Sequence, residues 1–559
     1  MVAATVGLVL GACLSVALRP LDPEQFRFDG CGVALDRQGR TIGPLRASCE
    51  WAPLVEVAPS FAKILVAVED RRFWDHYGVD PVAIIAALRE RRASPRGAST
   101  LSMQVVRELG LVPRERSLAR KLRELALALR LERTVPKSTV LELYVNRSAL
   151  GRNLVGVAAA SRAYFARPPR DLSFAESALL VSLLPAPSSL DPRFNLSAAC
   201  ARRDQVLARL QADPMLGAEA RAALLEPCAL RQATLRPVAP HALALLRRDF
   251  ASQTMLTTLD LEVQAIVEFA MSAGEASIRG AGLRQAAVVV LDSRTSEIRA
   301  LTGSFDFDEA RDGQLNGAML PRQAGSALKP LLYVEALQTG FDLETFIDDA
   351  PAEFREGETA RFAPQNADGL FLGRITLREA LARSRNVPAV RLAQAVTPAR
   401  FAAVLSNFGL SPLRHGPAWY GLGIALGTAE VRLLELTAAY ATLARHCAQL
   451  PPTFVPTGAP AKRVAAPDAC RAVVETLQDE AARVRGFGNA GRLGFLEPVG
   501  IKTGTSSGAR DLWLFATTER FTVGIWAGNF DMTAAHEDAV AMEVLAPVAQ
   551  KLLVELGVR

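Results

Sequence analysis

The sequence has few of the features that mark metal-binding, nucleic-acid-binding or repetitive proteins. It has no CxxC pair and no Cys/His cluster with zinc spacing, which argues against a structural zinc site. It also has no long charge run, low-complexity tract or internal repeat. The net charge of +6 is small and scattered, so it suits an anionic substrate or membrane surface better than nucleic acid. A chain of 559 residues, half of them apolar, predicts roughly three domains.

Long apolar runs are absent as well, with one marginal exception at the N-terminus. Residues 2–18 carry no charge, and this length is at the lower limit for a membrane-spanning helix, which needs about 20 residues. No Lys or Arg precedes the run, so the usual charge cue for orientation is missing. We expect either an uncleaved anchor over residues 1–20 or a lipoprotein signal, because small residues precede Cys13. Both alternatives tether the chain to the outer face of a membrane.

The cysteines support export from the cytoplasm. Apart from Cys13 there are six, an even number, which in an oxidising compartment predicts disulfides. Reduced, buried thiols are the alternative. We favour pairing between sequence neighbours, because each pair then brackets one short excursion of the chain: Cys31 with Cys49, Cys200 with Cys228, and Cys447 with Cys470.

The first half of the chain has a mainly helical pattern over residues 55–212. Ser173 followed by Glu176 predicts a capping box at the start of one helix. The proline-containing stretch 213–254 has no strong period and predicts a linker between two domains. Four leucines at helical spacing predict a stripe that faces the core: Leu118, Leu122, Leu125 and Leu129.

The second half has a different character. Residues 286–292 and 297–304 flank the turn sequence SRTS, which predicts two strands joined by a tight turn that lacks the usual glycine. A second strand pair is predicted at 511–518 and 520–528, beyond a long helical stretch. Strands at both ends of a helical insert predict an α/β domain whose sheet is built from non-adjacent pieces.

Three short motifs in this second half carry nucleophile chemistry. Ser326 and Lys329 form an S-x-x-K, whose helical spacing places the amine beside the hydroxyl. This motif alone is weak. Ser384-x-Asn386 and then Lys502-Thr503-Gly504 follow in order, the last on an expected edge strand. The three together are the signature of serine acyltransferases that react with penicillin.

Each motif residue has a role in acyl transfer. Ser326 attacks a carbonyl, and Lys329 is its base if burial or a neighbouring cation lowers the lysine pKa. Lys502 is the candidate for that cation and also attracts a substrate carboxylate. Ser384 passes a proton to the leaving amine.

The remaining motif residues are expected to hold the substrate. Asn386 holds a substrate amide, and the backbone N–H groups of Ser326 and Thr505 form the oxyanion hole. Thr503 and Gly504 are expected to contact substrate along the same strand.

Four stretches of the first half also form an ordered set of motifs: EDRRFWDHYGVD (69–80), GASTLSMQVVR (97–107), RKLRELALALRLE (120–132) and LELYVN (141–146). They resemble the ordered motifs of the family 51 glycosyltransferases, which polymerise peptidoglycan from lipid II. With the serine triplet, nearly the whole chain resembles a class A penicillin-binding protein, most similar to the 1C-type branch. Arg152 and Val155 depart from the resemblance, since a glycine and an acidic residue are expected there.

The resemblance implies roles for the first half. Glu69 is the general base on the acceptor 4-hydroxyl, and Glu124 assists departure of the diphosphate, with a possible divalent cation (Mg or Mn) nearby. His76 is expected to be a structural hydrogen-bonding residue. The leaving diphosphate requires cations, supplied by Arg107, Arg116, Arg120, Lys121 and Arg123. Further substrate contacts are expected from Asp70, Arg72, Ser99, Thr100 and Gln104, although Asp70 and Arg72 could simply be paired surface charges.

The expected fold is a mainly α, lysozyme-like glycosyltransferase domain followed by an α/β penicillin-binding transpeptidase domain. The expected divisions are an anchor or signal segment (1–20), a juxtamembrane segment (21–54), the glycosyltransferase (55–212), a linker (213–254) and the transpeptidase (255–559). The implied function is a bifunctional peptidoglycan synthase of the bacterial inner membrane with periplasmic domains. Its implied partners are lipid II, the glycan strand, the membrane, β-lactams and other cell-wall proteins. A penicillin sensor, a β-lactamase-like hydrolase and a scaffold with a silent glycosyltransferase site are the alternatives.

Overall fold

A computed structural model describes residues 21–22, 26, 32–45, 51–89, 99–113, 117–151, 154–231, 238–250, 254–356, 360–491 and 493–559. The predicted anchor, Cys31 and Cys49 lie outside these residues. No helix within them is long and apolar enough to cross a membrane. The chain divides into two compact units, the first formed mainly by Pro44–Arg236 and the second by Val33–Gly43, Pro237–Asp249 and Thr254–Arg559.

The first unit is helical, as predicted. Its described helices are α1 (Pro59–Glu69), α2 (Pro81–Arg89), α3 (Leu101–Glu108), α4 (Leu118–Thr134), α5 (Lys137–Arg147), α6 (Val157–Phe165), α7 (Phe174–Leu183), α8 (Leu196–Leu210) and α9 (Gly217–Leu224). The capping box of Ser173 and Glu176 at the start of α7 is confirmed. Helix α7 is buried along nearly its whole length and forms the centre of the apolar core.

The predicted core-facing stripe of α4 is wrong. Leu122 is 44% exposed and Leu129 is 36% exposed. The inward face carries Glu124, Leu127 and Leu131, which are spaced so that they share one side of the helix. Helix α4 turns this face inward because it packs against α3.

The first unit extends beyond residue 212 into the stretch predicted to be a linker. Helix α9 packs against α8 and contributes Ala220 and Ala223 to the core. A disulfide between Cys200 and Cys228 ties α8 to the segment after α9, as the pairing of sequence neighbours predicts.

The second unit combines short strands and helices. Its strands are β1 (Val33–Leu35), β2 (Thr41–Pro44), β3 (Met255–Leu256), β4 (Gln285–Asp292), β5 (Ile298–Thr302), β6 (Arg322–Gln323), β7 (Phe346–Asp349), β8 (Phe354–Glu356), β9 (Ala360–Phe362), β10 (Gly373–Thr376), β11 (Glu430–Val431), β12 (Ala448–Gln449), β13 (Lys462–Arg463), β14 (Gly500–Thr505), β15 (Asp511–Thr517) and β16 (Phe521–Gly528). Its helices are α10 (Pro240–Asp249), α11 (Leu261–Gly280), α12 (Lys329–Gln338), α13 (Leu377–Ala382), α14 (Asn386–Val396), α15 (Pro398–Asn407), α16 (Pro417–Tyr420), α17 (Leu433–Ala444), α18 (Pro467–Gln478), α19 (Glu480–Phe487) and α20 (Ala541–Glu555).

The main sheet is antiparallel with the order β14-β15-β16-β4-β5, so both predicted strand pairs and their union in one sheet are confirmed. Ser296, in the turn between β4 and β5, has a φ of 60°, the conformation in which a glycine was expected. Helices α11 and α20 pack against the sheet and each other, while α17 packs against β4 and β16. Cys447 and Cys470 form a second disulfide, as predicted.

A small sheet joins distant parts of the sequence in the second unit. Its order is β2-β1-β3, and β1 pairs in parallel with β3, with Ala34 opposite Met255. Strands β1 and β2 and helix α10 come from residues that were predicted as juxtamembrane segment and linker, whereas β3 lies at the start of the predicted transpeptidase domain. Pairing across so many residues leaves no periodic signal in the local sequence, which explains why the prediction did not include it.

Candidate active sites

The first candidate site lies in the first unit at the end of α1. Glu69 is the last residue of this helix, and its Oε2 accepts a hydrogen bond of 3.1 Å from Gln104 Nε2 on α3. Gln104 Oε1 in turn accepts from the Tyr144 hydroxyl on α5 at 3.0 Å. Burial, and then the negative charge of Glu69, raise the pKa of Tyr144, so this hydroxyl stays a donor. The Glu69 carboxylate is thus half-buried and oriented by two other helices.

The loop after Glu69 is held by buried polar contacts. Asp70 accepts from the backbone N–H of Leu101 at 2.9 Å and lies 3.1 Å from His76 Nε2. Thr100 caps α3 and donates its hydroxyl to the Gly78 carbonyl at 2.6 Å. Asp70, His76 and Thr100 therefore fasten the loop to the start of α3, which agrees with the structural role expected of His76.

Gly78 and Arg72 show how this loop is shaped. Gly78 has a φ of +86°, and an added Cβ would lie 2.5 Å from the Ala128 carbonyl of α4, so only glycine fits. Arg72, expected to contact substrate, lies 3.5 Å from a carboxylate oxygen of Asp80 within the loop. Arg72 is thus paired within the loop, but with Asp80 and not with Asp70, which is buried beside His76.

Glu124 is the centre of a cationic cluster. Its carboxylate is 0% exposed and lies 3.3 Å from Arg120 Nε, 3.3 Å from Lys121 Nζ and 3.8 Å from Arg107 on α3. Lys121 also donates to the Ser99 hydroxyl at 2.9 Å. The cluster therefore brings together Ser99, Arg107, Arg120 and Lys121, as the motifs predict. Arg116 and Arg152 lie outside the described residues, and Arg123 is exposed.

The divalent cation expected near Glu124 has no protein ligand set. In the part of the chain that the structure describes, no group of three or more His, Cys, Asp or Glu side chains could hold a metal ion. Glu124 is surrounded by cationic side chains, which repel a metal ion rather than bind it. These residues therefore do not fit a metal held by the protein alone.

The second candidate site lies in the second unit around Ser326. This residue is in a 3-10 turn, Gly325–Leu328, directly before α12. Gly325 has a φ of +56°, and an added Cβ would lie 2.1 Å from the Thr505 carbonyl of β14. A Cβ on Gly504 would lie 2.3 Å from the Ala324 carbonyl. Two glycines therefore let the nucleophile turn touch the edge strand that carries the K-T-G motif.

Lys329 is buried behind this turn. Its Nζ donates to the Ser384 carbonyl at 2.7 Å, the Arg385 carbonyl at 3.0 Å and Asn386 Oδ1 at 2.7 Å. Burial, and then the charges of Lys502 and Arg385, hold the Lys329 pKa well below its usual value. A lowered pKa favours the neutral amine, which is the form that can accept a proton.

Lys502 connects β14 to the S-x-N motif. Its Nζ donates to the Ser384 hydroxyl at 2.8 Å and to the Thr503 carbonyl at 2.7 Å. Burial lowers the pKa of Lys502 to about 7. Asn386 bridges the site by donating its amide N–H to the Gln365 carbonyl at 2.7 Å while its oxygen accepts from Lys329. The three predicted motifs thus meet at Ser384, whose φ is 57°.

Comparison with known proteins finds a different family in each half of the chain. A family described as "Transglycosylase" matches residues 38–211, and one described as "Penicillin binding protein transpeptidase domain" matches residues 286–530. The chain belongs to the class A penicillin-binding proteins. The two matches fall on the unit that contains Glu69 and Glu124 and on the unit that contains Ser326.

Two relatives and one solved structure are similar to this penicillin-binding protein. Penicillin-binding protein 1C of Escherichia coli is 33% identical over 86% of this chain and 61% of its own length, so the chain spans less than two thirds of that relative. Penicillin-binding protein 2D of Bacillus subtilis is 28% identical over 90% of this chain and 77% of its own. The crystal structure of penicillin-binding protein 1A from Haemophilus influenzae shares the fold, with a TM-score of 0.58, 17% identity, and coverage of 95% and 92% of the two chains.

Sequence reasoning missed two ion pairs of this penicillin-binding protein, of which the first is buried. In the second unit, Arg385 pairs with the fully buried Asp349 at 2.8 Å, and Asn366 donates to the same carboxylate at 2.7 Å. In the first unit, Lys137 lies 2.8 Å from Glu132 and 4.4 Å from the centre of the Phe73 ring. Arg385 is the middle residue of the S-x-N motif, so the sequence could have indicated that it lies at the site. Nothing in the sequence indicates Asp349, Asn366 or Glu132 as partners, because they lie on other elements.

Proposed function

We propose that this chain is a bifunctional peptidoglycan synthase. The first unit polymerises lipid II into β-1,4-linked glycan strands with inversion. The second unit cross-links stem peptides by D,D-transpeptidation through a serine acyl-enzyme. The observation that carries the proposal is the cluster behind Ser326, in which buried Lys329 and Lys502 both contact Ser384.

The second unit supplies each proton transfer of acylation from its own residues. Neutral Lys329 takes the proton of Ser326 as the serine oxygen attacks the carbonyl of the penultimate residue. The developing oxyanion is placed at the N–H groups of Ser326 and Thr505, where one such donor contributes about 3–4 kcal/mol in comparable sites. The Ser384 hydroxyl, which accepts a hydrogen bond from Lys502, passes its proton to the leaving amine and regains one from the proton that Lys329 took from Ser326. Charged Lys502 attracts the substrate carboxylate.

The first unit supplies a general base and a cluster of cationic side chains. The carboxylate of Glu69, oriented by Gln104, removes the proton from the acceptor 4-hydroxyl, whose oxygen then attacks the anomeric carbon. The diphosphate leaves toward the cations gathered at Glu124. A buried carboxylate that already holds Arg120 and Lys121 fixes their position before the diphosphate arrives, so less conformational entropy is lost on binding.

The cellular location and the partners of the synthase follow from its substrates. Lipid II presents its headgroup at the outer face of the cytoplasmic membrane, so residues 1–20 anchor the chain there as a single N-terminal segment or through Cys13. The first unit, the nascent glycan strand and other cell-wall proteins meet at that surface. β-Lactams acylate Ser326. A divalent cation that arrives with the diphosphate stays a prediction.

One experiment tests both activities. The purified full-length protein is incubated with lipid II with and without penicillin, and glycan chains are separated from cross-linked products. We expect glycan chains in both reactions and cross-links only without penicillin. Ser326→Ala is the matched variant, which should make chains and no cross-links whether penicillin is present or not.

The same reactions decide between the alternatives. A scaffold with a silent first site would give no glycan chains. A β-lactamase-like hydrolase would release labelled penicillin rapidly, whereas a transpeptidase forms a stable acyl-enzyme after a burst. Rapid turnover of penicillin would therefore overturn the transpeptidase assignment.

A further inference from the structure

The S-x-N turn of the second unit is fixed from behind by a buried carboxylate. Asp349, at the end of β7, is 0% exposed. It accepts hydrogen bonds from Arg385 Nε at 2.8 Å, from Asn366 Nδ2 at 2.7 Å and from the Leu372 N–H at 3.1 Å. Arg385 is itself only 4% exposed. Removing one partner of a buried ion pair leaves the other charge uncompensated, so each of these two charges depends on the other.

Both side-chain partners of this carboxylate are attached to the S-x-N motif. Arg385 is its middle residue, and its guanidinium also bonds to an Asp368 carboxylate oxygen at 2.6 Å and donates to the Leu370 carbonyl. Asn366 Oδ1 accepts from the N–H of Asn386, the last residue of the motif and the first of α14, at 2.7 Å. The motif is therefore anchored through a side chain at its centre and through its backbone at one end.

The anchored turn presents the hydrogen-bond acceptors of Lys329. Two of them are the carbonyls of Ser384 and Arg385, and the third is Asn386 Oδ1. Ser384 has a φ of 57°, a conformation that residues with a side chain rarely adopt. Such a conformation persists only where the surrounding contacts impose it. The contacts of Arg385 and Asn366 therefore keep the three acceptors in place around the lysine amine.

The two buried charges also act on the protonation of Lys329, and they act in opposite directions. Burial is the largest cause of the low Lys329 pKa, and the positive charges of Lys502 and then Arg385 lower it further. The negative charge of Asp349 raises the same pKa. Because the Arg385 guanidinium lies directly against the Asp349 carboxylate, its charge offsets the effect of that carboxylate on the lysine.

The remaining charged side chains on the helices that pack against α12 are exposed or engaged elsewhere. They are Glu335 paired with Arg400, Glu379 paired with Arg383, Arg378 paired with Glu344, Arg391 over the Phe354 ring, and the exposed Asp468, Arg471 and Glu475. The turn Gly325–Leu328 and the segment Gly421–Leu426, which also pack against α12, contain no charged residue. Lys502, Arg385 and Asp349 are thus the charges that control the protonation of Lys329.

We propose that Arg385 and Asp349 are positioning residues for acylation. They fix the S-x-N turn around Lys329, and their two opposed charges determine how readily its amine accepts the Ser326 proton. The inference rests on the proposed transpeptidation and adds two residues that act through the turn and the lysine rather than on the substrate. Asp349 holds Arg385 in place, and Arg385 shields Lys329 from the carboxylate. Neither side chain takes part in proton transfer.

The pH dependence of acylation tests this assignment, because a purely structural pair would change the rate equally at every pH. Full-length protein is acylated with a labelled penicillin, and the rate is expected to rise with pH as Lys329 loses its proton. In Arg385→Gln the charge of Asp349 is unopposed, so the midpoint of this rise should move up by about one pH unit, the lower end of the effect of a neighbouring charge. In Asp349→Asn the charge of Arg385 is unopposed, and the midpoint should move down by a similar amount.

A double variant and a matched control make the shifts specific. Asp349→Asn with Arg385→Gln removes both charges, which avoids an unpaired buried charge, and its midpoint should lie close to that of the unmodified protein. Glu344→Gln with Arg378→Gln is the control, because this ion pair of 2.8 Å links the segment before β7 to α13 but is exposed to solvent. It should leave the midpoint unchanged. The decline of the rate caused by Lys502 should stay at the same pH in every variant, since burial and not Arg385 lowers the Lys502 pKa.

The outcomes separate this inference from the function on which it rests. If the unmodified protein is acylated, midpoints that stay in place or move in the same direction in the two single variants would overturn the role of the two charges, and so would a uniform loss of rate. If Arg385→Gln does not fold, the downward shift in Asp349→Asn and its reversal in the double variant decide the question. If the unmodified protein forms no acyl-enzyme at any pH, the transpeptidase proposal itself fails.

Discussion

The two units bury charge in opposite ways. In the first, the buried carboxylate of Glu124 is surrounded by Arg107, Arg120 and Lys121. In the second, Lys329 and Lys502 are buried and form no ion pair within the described residues, because the nearby Asp349 is already paired with Arg385. A paired cation stays charged, whereas burial without a counter-ion favours the neutral amine. One site is thus suited to binding an anion and the other to moving a proton.

Removing the base of the second unit should have the largest effect. Lys329→Met keeps the length and apolar stem of the side chain but cannot accept the Ser326 proton. We expect acylation by labelled penicillin to fall by at least about 10³-fold, as when an activating base is lost from a serine enzyme. Gel fluorescence against time measures the rate. Polymerisation of lipid II should be unaffected, and acylation within tenfold of the parent would show that another group is the base.

Removing the base of the first unit should have a somewhat smaller effect, and only on glycan polymerisation. For Glu69→Gln we expect lipid II polymerisation to fall by about 10²–10⁴-fold, the usual contribution of a general base. Penicillin acylation should be unchanged. Glu56→Gln, at an exposed glutamate of the same unit, is the control. Normal polymerisation by Glu69→Gln would mean that the base has been misassigned.

The pH dependence of acylation should distinguish the roles of the two lysines. Because the Lys502 pKa is lowered to about 7, its positive charge is present below that pH and is lost as the pH rises through it. Acylation by a penicillin with a free carboxylate should therefore decline by several-fold above about pH 7. Lys502→Arg, which stays charged, should remove this decline. A profile of Lys502→Arg that matches the parent would assign the decline to another group.

Chelation of divalent ions should have the smallest effect. If Arg107, Arg120 and Lys121 neutralise the leaving diphosphate, EDTA should lower lipid II polymerisation by less than about tenfold, since protein cations supply much of the charge stabilisation. Arg120→Gln should make polymerisation more sensitive to EDTA than the parent. Complete loss of polymerisation by the parent in EDTA would show that a metal, and not this cluster, does most of the neutralisation.

The sequence and the structure agree best where chemistry needs fixed spacing. Ser326 with Lys329, and Lys121 with Glu124, lie one turn apart on a helix or its first turn, so local spacing predicted their proximity. Ser384 and Lys502 were linked only by the order of motifs, and the structure brings them to 2.8 Å.

Other features could not be predicted because they depend on contacts between distant segments. Asp349 is buried by its pairing with Arg385, and nothing near Asp349 in the sequence distinguishes it from an exposed acid. The prediction that the leucines of α4 face the core was wrong for a related reason. Apolar spacing gave one face, but the polar residue Glu124 lies on the buried face, where it pairs with Arg107 of α3 as well as with Arg120 and Lys121 of its own helix.

The parallel pairing of β1 with β3 also has a consequence for how the protein is made. Ala34 is synthesised early, yet its partner Met255 follows only after the first unit is complete. Most of the first unit, the contiguous stretch from 44 to 236, thus lies in the sequence between two segments of the second. A fragment that starts at 254 would lose β1 and β2 and would leave β3 without a partner in the small sheet. Export and folding must therefore hold the opening strands of the chain unpaired until the later unit emerges.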